Sequence, residues 1–396
     1  MPVRVLHIVA NMNRGGLENF LMNVYRTLDR EQIQFDFLVT REVVGAFDEE
    51  IRLLGGKVYN IPAMTQVGYW KYKKSVYQFF KEHPEYQIVH CHRDALGGIY
   101  LKQAYKAQIP TRVAHSHTSK IGEPKSIKGI LRSVIKAGLK PLLNKYSTHH
   151  FACGTNAGEW LFGKSIPVQV INNGIELNKY RYTIQTKRQV REELGVDEKT
   201  LLIGHVGRFC YPKNHTFLID IVSQLEQVIP NCKLCLVGEG ELEVSIRSKV
   251  QTLGLENKVL FLGVREDVPR ILNAFDLFVF PSLLEGIPVT LIEAQASGLQ
   301  CLVSNQITSE ADLGIHLTQY LPIDTVVPWI ETIKGLTQKM DNMRATRYTN
   351  DLQIRLRGYD ILQTTKYLEN FYIEQYKQNR GDANESNTHC VYANIQ

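Results

Sequence analysis

The length and composition of the chain indicate a two-domain protein of nearly balanced charge. It has 396 residues, 44% of them hydrophobic, which is too long for one ordinary core and predicts two domains. The 46 basic and 40 acidic residues give a net charge of +6. This mild excess argues against a nucleic-acid-binding protein coated in basic residues, but it leaves room for one local basic face.

The sequence shows no export or membrane signal. The apolar run from Val3 to Ala10 is too short for a signal peptide, and no stretch reaches the roughly 18 apolar residues of a membrane span. The seven scattered cysteines are typical of reduced thiols, so we expect a cytoplasmic protein. Cys232 and Cys235 form a CxxC within a predicted strand, where residues three apart face opposite sides. We therefore expect both in the core.

From the amino terminus to about residue 171, short apolar runs alternate with helical patterns. The predicted strands of this part are VRVLHIVA, FDFLV, KVYNI, QIVHCH, TRVAHSH, HHFAC and VQVI. Between them, segments such as ENFLMNVYRTL and AFDEEIRLLGG predict helices. Regular alternation of strand and helix predicts a parallel, doubly wound sheet.

After an Asn-Gly turn, a polar stretch that has no strand pattern extends to about Lys199. A second alternation of strands and helices follows it. Its predicted strands are LLIGHVG, KLCLVG, KVLFLG, DLFVFPS and QCLVS. We therefore predict an α/β protein with two Rossmann-like, doubly wound domains facing a cleft, an N-terminal domain over 1–174 and a C-terminal domain over 175–354. A helix at about 355–378 is a candidate to pack back on the first domain. The polar tail, 379–396, is expected to be disordered.

Unusual residues follow several of the predicted strands, where ligands bind in sheets of this kind. Gly15 and Gly16 come directly after the first strand and allow a ligand to approach the backbone closely. The helix that follows points its amino end at the same place, which suits an anion. The alternative is a simple turn, because many strand-to-helix turns contain two glycines.

Two basic residues follow the first strand of the second domain. Arg208 and Lys213 lie five positions apart, so both side chains can reach a diphosphate. Arginine binds it through a planar fork and lysine as a point charge. The alternative is a solvated basic loop.

A third group runs from Ser282 to Glu293. Pro288 fits the first turn of a helix, which would leave the amides near Gly286 and Ile287 free to hold phosphate oxygens. Glu285 on the loop and Glu293 within the helix could then accept hydrogen bonds from the hydroxyls of a hexose and a ribose. The alternative is one helix cap and one exposed glutamate.

Two strands end in a His-x-His pattern. His90 and His92 form one pair, and His115 and His117 form the other. Residues two apart share a face of a strand, so each pair could hold a metal. A structural zinc site needs four ligands, and no cysteine or carboxylate joins them at suitable spacing. We prefer a histidine that lines a ligand cleft at the strand end, and polar core packing is the alternative for His90 and His115.

Taken together, the motifs resemble a known family. Gly-Gly-x-Glu, His-Thr, Gly-Arg-x4-Lys-Asn and Glu-Gly-x-Pro-x4-Glu occur in this order, as in the family-4 retaining glycosyltransferases of GT-B fold. The chain is similar to the enzymes of bacterial exopolysaccharide operons over nearly its whole length, to about residue 375. One departure is Gln300, where family members often have proline, and it lies outside the motifs.

The resemblance implies a nucleotide-sugar donor, with UDP favoured by analogy, and a role for each matching residue. Arg208 and Lys213 would neutralise the donor diphosphate, while Glu285 would bind the sugar and Glu293 the ribose. The other implied contacts are Gly15 and Gly16 with the phosphates, His117 with the reacting sugar, Gly286 and Ile287 with phosphate oxygens, and Val264 and Arg265 with the base.

The implied chemistry produces an oxocarbenium-like sugar and a diphosphate leaving group. Catalysis then needs donors aimed at the growing negative charge, which Arg208, Lys213 and the helix amides would supply. No carboxylate is placed as a nucleophile, so we expect a front-face substitution with retention of configuration. Neither a cofactor nor a metal is expected, since cationic side chains take the role of the metal.

Three rival functions share parts of these patterns. The segment 158–165 matches the P-loop pattern of NTPases, but its Trp-Leu-Phe favours burial and we interpret it as a helix that ends at a glycine. Gly238-Glu239-Gly240 begins a dinucleotide fingerprint, but Glu243 replaces the third glycine. A nucleotide-sugar-binding protein without activity is the third rival.

A last pattern concerns the acceptor. In the segment 126–146, Lys128, Arg132, Lys136 and Lys140 recur every four residues opposite an apolar face, which predicts an amphipathic helix with a basic stripe. Such a stripe could rest on anionic lipid, which would suit a lipid-linked glycan acceptor. The alternative is an ordinary solvated helix face.

Overall fold

The computed structural model describes residues 2–41, 44–118 and 127–381, and within these the segment 127–135 is described as backbone only. Contacts divide the chain into two compact units. Among the described residues, the first unit contains 2–117, 127–170 and 365–381. The second unit contains Ile171–Thr364.

The first unit is built around a seven-stranded parallel sheet. Its strands are β1 Val3–Ile8, β2 Ile33–Val39, β3 Val58–Asn60, β4 Ile88–Cys91, β5 Thr111–Ser116, β6 His149–Ala152 and β7 Gln169–Val170. They pair in the order β3-β2-β1-β4-β5-β6-β7, with β1 at the centre. Every strand candidate of this part of the sequence therefore forms.

Helices connect these strands. They are α1 Gly16–Thr27, α2 Asp48–Leu53, α3 Met64–Val67, α4 Tyr69–Glu82, α5 Gly97–Lys106, α6 Ile127–Tyr146 and α7 Thr155–Phe162. Because helices connect parallel strands, the sheet is buried and its central strands are apolar runs rather than alternating patterns.

The second unit repeats the plan with a six-stranded parallel sheet. Its strands are β8 Leu201–Val206, β9 Cys232–Val237, β10 Val259–Phe261, β11 Leu277–Phe280, β12 Gln300–Ser304 and β13 Thr318–Leu321. They pair in the order β10-β9-β8-β11-β12-β13. The predicted α/β class with two doubly wound sheets is confirmed, and β13 is an edge strand that the sequence did not predict.

The remaining helices complete the second unit and return to the first. They are α8 Ile184–Glu193, α9 His215–Val228, α10 Glu243–Thr252, α11 Val268–Ala274, α12 Val289–Ala296, α13 Val327–Thr337, α14 Met340–Thr346, α15 Asp351–Leu356 and α16 Ile361–Arg380. From Thr365 onward α16 packs on the first unit, where the hydroxyl groups of Thr365 and Thr27 lie 2.6 Å apart.

Strand β8 shows how closely the second core is packed. All six of its residues are buried, and a Cβ atom at Gly204 would overlap the ring of Phe275. A glycine inside a strand marks such a close approach, and here it lets the segment before β11 lie against β8.

The amino ends of β8 and β11 are joined by a buried charge cluster. Asp276, just before β11, accepts hydrogen bonds from Lys187 (3.0 Å), Arg191 (3.1 Å) and Arg344 (2.8 Å). It also accepts one from the backbone N–H of Leu202, at 2.9 Å. The three cations hold the pKa of the Asp276 carboxyl well below its usual range, although burial alone would raise it.

Candidate functional site

The residues singled out in the second part of the sequence lie at one edge of its sheet. Arg208 follows β8, Val264 and Arg265 follow β10, and Glu285 follows β11. The strands β10, β9, β8 and β11 are neighbours and all run parallel, so their carboxyl ends meet at this edge. This is the edge at which doubly wound sheets bind ligands.

Glycines bring the first two loops of this edge into direct contact. A Cβ atom at Gly238 would overlap the carbonyl oxygen of Gly207, and one at Gly240 would overlap that of Phe209. The backbone N–H of Phe209 donates to the carbonyl of Glu239 at 2.9 Å. The Gly-x-Gly after β9 thus serves the packing of two loops, which accounts for the incomplete dinucleotide fingerprint.

The loop that carries Lys213 is held against the loop after β11. Residues Tyr211–Lys213 form a 3₁₀ turn that ends at Asn214, whose left-handed φ of 55° is one that asparagine tolerates. The Asn214 side chain donates to the carbonyl of Pro281 at 3.2 Å, and the N–H of Leu283 donates to that of Pro212 at 2.8 Å. These two bonds fix the spacing between the loops.

That spacing brings Lys213 and Glu285 together. The Lys213 Nζ lies 2.8 Å from the Glu285 Oε1, and both side chains keep about 15% of their surface exposed. The same ammonium lies 4.7 Å from the centre of the Phe280 ring. Lys213 is therefore held by a carboxylate and an aromatic face.

Arg208 is the exposed cation of this edge. Within the described part of the chain its guanidinium has no side-chain hydrogen bond or ion pair. Its five donors remain available to a ligand.

Two histidines that the sequence analysis did not single out lie under Lys213. His205 in β8 and His215 in α9 are buried, with ring centres 4.9 Å apart. Burial and the neighbouring Lys213 lower the pKa of His215 to about 4, so it is neutral at pH 7. The Nε2 of His205 and the hydroxyl of Ser282 are buried without a hydrogen-bond partner in the described residues. These buried polar atoms lie beneath the loops and lack partners of their own among those residues.

The loop after Glu285 enters α12 one residue later than the sequence predicted. Pro288 precedes the helix as its cap, with φ −74° and ψ 105°, and Val289 is the first helical residue. The prediction that Pro288 lies in the first turn is therefore wrong. Gly286 and Ile287 lie on the half-buried approach to the helix, directly before its free amides.

Glu293 lies within α12 and is bound by a residue that the sequence analysis missed. The Tyr180 hydroxyl donates to the Glu293 Oε1 at 2.6 Å. Burial raises the pKa of Glu293 to about 7, although Tyr180 and the charge of Lys213 lower it. Tyr180 belongs to a 3₁₀ turn more than a hundred residues earlier, where no motif marks it.

The side chains of the two residues expected near the base differ in how far they are already engaged by the protein. Val264 is an exposed hydrophobic residue. The Arg265 Nε donates to Asp267 at 2.8 Å, so its guanidinium is already paired within its own loop. Arg265 therefore offers its backbone more readily than its side chain.

In the first unit, Gly15 and Gly16 begin α1. Gly15 is the cap, and Gly16 has open space where a Cβ would be. The Glu18 carboxylate folds back over Gly15, where a Cβ would overlap it, and it accepts a hydrogen bond from its own backbone N–H. Burial raises the pKa of Glu18. A carboxylate therefore occupies part of the position expected to attract phosphate.

His117 lies beyond the end of β5 in a cluster of imidazoles. Its Nε2 is 2.8 Å from the Nδ1 of His92, and His115 lies beside it with ring centres 4.0 Å apart. His90 and His115 are buried, as the alternative of polar core packing expected, while His117 is partly exposed.

Two sequence patterns prove to be structural. Residues 155–162 form α7, and Gly163 caps it with φ 87°, so the P-loop match is the end of a helix, as interpreted. A phosphate-binding nest would instead open a helix. Cys232 and Cys235 are both buried in β9, and burial raises the pKa of each thiol, as expected for core cysteines.

The basic helix forms as predicted over Ile127–Tyr146, but one of its cations faces inward. The Lys140 ammonium donates to the carbonyl of Trp160 and lies 4.1 Å from the centre of that ring. It is therefore not part of a free basic stripe. The side chains of Lys128 and Arg132 lie outside the described residues. No helix in the described part of the chain is long and apolar enough to cross a membrane.

Family models match both halves of the chain. Residues 14–179 match the model described as Glycosyltransferase Family 4, and residues 186–320 match the one described as Glycosyl transferases group 1. EpsF of Bacillus subtilis (strain 168) is 36% identical over 374 residues, covering 93% of this chain and 96% of EpsF.

Two further comparisons cover nearly whole chains at lower identity. The UDP-Gal:alpha-D-GlcNAc-diphosphoundecaprenol alpha-1,3-galactosyltransferase of Escherichia coli is 24% identical, covering 94% of this chain and 97% of that enzyme. The solved structure of Anabaena HepE in complex with UDP and glucose matches with a TM-score of 0.72 at 20% identity. It covers 93% of this chain and 99% of HepE. The latter likeness supports the fold.

Proposed function

The chain belongs to the family-4 glycosyltransferases of GT-B fold, and we propose that it moves a hexosyl unit from a UDP-sugar to a lipid-linked glycan with retention of configuration. The observation that carries the proposal is the Lys213–Glu285 pair, at 2.8 Å, at the carboxyl edge of the second sheet. A cation and a carboxylate held side by side suit a donor whose diphosphate adjoins sugar hydroxyls.

In this proposal the donor lies along the carboxyl edge of the second sheet. The exposed Arg208 and the ammonium of Lys213 neutralise the diphosphate. The backbone amides near Gly286 and Ile287 hold its phosphate oxygens. Glu285 accepts hydrogen bonds from the sugar and holds Lys213 in place. Glu293, oriented by the hydroxyl of Tyr180, accepts them from the ribose.

Other proposed contacts involve backbone and the first unit. The backbone after β10, at Val264 and Arg265, meets the base. In the first unit, Gly15 and Gly16 approach the phosphates, which requires the Glu18 carboxylate to move from the start of α1. His117 acts beside the reacting sugar.

The reaction exchanges one bond at the anomeric carbon for another. The bond from that carbon to the diphosphate oxygen breaks, and its electron pair leaves with UDP. The acceptor hydroxyl oxygen attacks from the same face, and its proton passes to the departing phosphate. Arg208 and Lys213 stabilise the negative charge on the diphosphate as it grows. No divalent metal is needed for this step, because the two cations supply the charge.

The substrate class rests on relatives. The name of the Escherichia coli enzyme specifies UDP-Gal as donor and a diphosphoundecaprenol-linked sugar as acceptor. A Staphylococcus aureus relative, 25% identical over 385 residues, is named as a capsular polysaccharide biosynthesis glycosyltransferase. We therefore propose a place in exopolysaccharide or capsule biosynthesis.

A lipid-linked acceptor favours peripheral attachment to an anionic membrane through the segment 126–146. Liposome flotation with and without anionic lipid tests this. Replacing Lys128, Arg132 and Lys136 by glutamine should abolish salt-sensitive binding, whereas Lys140→Gln alone should have less effect because Lys140 contacts Trp160. If the wild-type chain ignores anionic liposomes at low salt, the attachment is refuted.

Donor choice is tested by thermal shift against UDP-glucose, UDP-galactose, UDP-N-acetylglucosamine and GDP-mannose. The true donor should raise the melting temperature in proportion to the logarithm of its concentration over its Kd. The chain should then slowly release UDP from that donor, whereas an NTPase would release phosphate from ATP. A stabilised chain that releases no UDP, even with a diphosphate-lipid-linked sugar, would instead be a non-catalytic binding protein.

The configuration and metal requirement are measured with the same donor. The anomeric proton coupling of the product, seen by NMR, should match that of the donor. Transfer should continue in excess EDTA. Complete loss in EDTA that magnesium or manganese restores would refute the metal-free step.

A further inference from the structure

The first unit contains a cluster of five imidazoles that the proposed donor site does not use as a group. His7 lies in β1, His90 and His92 lie in or just after β4, and His115 and His117 lie in or just after β5. Four of the five are at least 95% buried, and His117 is partly exposed. The strands β1, β4 and β5 are neighbours in the sheet, so the rings stack across it.

Hydrogen bonds join these rings into two chains. The Nδ1 of His7 lies 3.0 Å from the Nε2 of His92, whose Nδ1 lies 2.8 Å from the Nε2 of His117. In the other chain the Tyr372 hydroxyl lies 2.6 Å from the Nδ1 of His90, whose Nε2 lies 3.1 Å from the Nδ1 of His115.

The ends of both chains lack partners. The Nε2 of His7, the Nε2 of His115 and the Nδ1 of His117 are buried without a hydrogen-bond partner among the described residues. A neutral imidazole has one N–H and one lone pair, so each chain leaves a donor or a lone pair unsatisfied, whichever way its protons point. A missing ion would satisfy one of these buried atoms, the Nε2 of His115.

We propose that His92, His115 and His117 bind one divalent transition-metal ion of the zinc class. One ring nitrogen from each lies within 4.8 Å of those from the other two. Three neutral imidazole ligands suit zinc, cobalt, nickel or copper, rather than magnesium or calcium. A site with three protein ligands leaves a fourth position for water.

The hydrogen bonds assign the ligand atoms. His115 would bind through its unpartnered Nε2 and donate from Nδ1 to His90, which in turn donates to Tyr372. His92 would bind through Nδ1 and donate from Nε2 to His7. Metal-bound histidines usually have such an outer partner, which orients the ring and raises its basicity.

For the one pair of ligand nitrogens that is hydrogen-bonded, metal binding needs only a small separation. A tetrahedral ion with bonds of 2.0–2.1 Å separates its ligand nitrogens by about 3.4 Å. The Nδ1 of His92 and the Nε2 of His117 now lie 2.8 Å apart, so the rings must part by about half an ångström. A second triad, His7, His90 and His92, is less suited, because both nitrogens of His90 already have partners.

This site is separate from diphosphate neutralisation, which the proposed function assigns to Arg208 and Lys213. Its test therefore measures metal and not transfer. The metal-free chain is titrated with Co²⁺, whose visible d–d absorption reports coordination by imidazole, and then with Zn²⁺ in competition. We expect one equivalent of tightly bound ion per chain and a rise in melting temperature with added Zn²⁺.

Single variants identify the ligands. His92→Gln, His115→Gln and His117→Gln should each weaken Zn²⁺ binding at least about a hundredfold and change the Co²⁺ spectrum. His117→Gln is the variant most certain to fold, because its ring is partly exposed. His150→Gln, on the neighbouring strand β6, is the matched control and should bind as wild type does.

The tail residues His389 and Cys390 are competing ligands, so the assay is repeated with both replaced, by glutamine and serine. The proposal is overturned if the wild-type chain gives no d–d band at micromolar Co²⁺. It is equally overturned if the band persists in His117→Gln or disappears with the tail replacement.

Discussion

The two ends of the second sheet carry similar charged residues in opposite circumstances. At the amino ends of β8 and β11, Asp276 is surrounded by Lys187, Arg191 and Arg344, and its side chain is wholly buried. At the carboxyl ends, Lys213 and Glu285 are paired but reach solvent, and Arg208 is exposed.

The difference teaches how to tell a structural charge cluster from a candidate site. Asp276 accepts five hydrogen bonds from protein groups, two of them from Arg344 and one from a backbone N–H of β8. Its charge is thus committed to the fold. The opposite edge keeps donors that the protein does not satisfy, and unsatisfied charge is available to a ligand. The comparison can be sharpened by removing charges at each edge in turn.

The largest effect on stability is expected from Asp276→Asn. Removing one partner of a buried ionic cluster leaves uncompensated charges, which typically costs about 3–5 kcal/mol. Chemical denaturation measures the loss in the free energy of unfolding. Asp324→Asn, at an exposed position of the same unit, is the control and should change it by less than about 0.5 kcal/mol. Equal stabilities for the two variants would show that the amino edge is not a structural cluster.

Removing a charge at the carboxyl edge should lower activity and leave the free energy of unfolding nearly unchanged. Arg208→Ala and Lys213→Ala should each lower turnover by at least about a hundredfold, the usual loss of one charge-stabilising group. Their unfolding transitions should stay close to wild type, since both residues lie on the loop after β8. Lys334→Ala removes an exposed cation of α13 as the matched control. Near-normal turnover in either site variant would contradict the assignment.

The two glutamates should separate the halves of the donor. Glu293→Gln should weaken UDP binding about tenfold, because a hydrogen bond to a charged group contributes about 1.5 kcal/mol or more. Glu285→Gln should largely spare UDP binding but weaken binding of the whole donor. Isothermal calorimetry measures the affinity for UDP and for the UDP-sugar. Tyr180→Phe should weaken UDP binding in the same way as Glu293→Gln, but to a smaller extent. If both glutamate variants behave alike, the division of roles is wrong.

The smallest expected effect is a pH dependence. Burial raises the pKa of Glu293 to about 7, so its carboxyl is increasingly protonated as the pH falls from 8 to 6. Only the ionised form accepts two ribose hydrogen bonds, so the Kd of UDP-sugar should rise several-fold over that range. Glu293→Gln should remove the dependence. A Kd of the wild-type chain that is flat from pH 6 to 8 would rule out ribose binding by an ionised Glu293.

Local sequence patterns predicted most strands and helices but failed for elements whose residues are mostly polar and exposed. Every named strand candidate forms, because buried parallel strands are continuous apolar runs. Strand β13, Thr318–Leu321, was missed since only its last residue is buried. Helix α8, Ile184–Glu193, was missed within a polar stretch, because most of its residues face solvent.

The candidate site was predicted through its motifs, and its partners were not. Arg208, Lys213, Glu285 and Glu293 belong to short segments with recognisable spacing. Tyr180, His205 and His215 have no such spacing, although each contacts Glu293, Lys213 or one of their neighbours. A prediction that Pro288 lies inside α12 was wrong by one residue, which is the scale at which helix ends escape sequence patterns.

The sequence by itself determined that the chain is an α/β protein of two doubly wound sheets, and which loops carry its charged motifs. Both follow from periodicity and spacing, which act over a few neighbouring residues. Only the tertiary structure decided that Lys213 meets Glu285, that Asp276 is buried among three cations, and that five histidines form one cluster. These contacts join residues far apart along the chain, and which of them meet depends on the order and register of the strands.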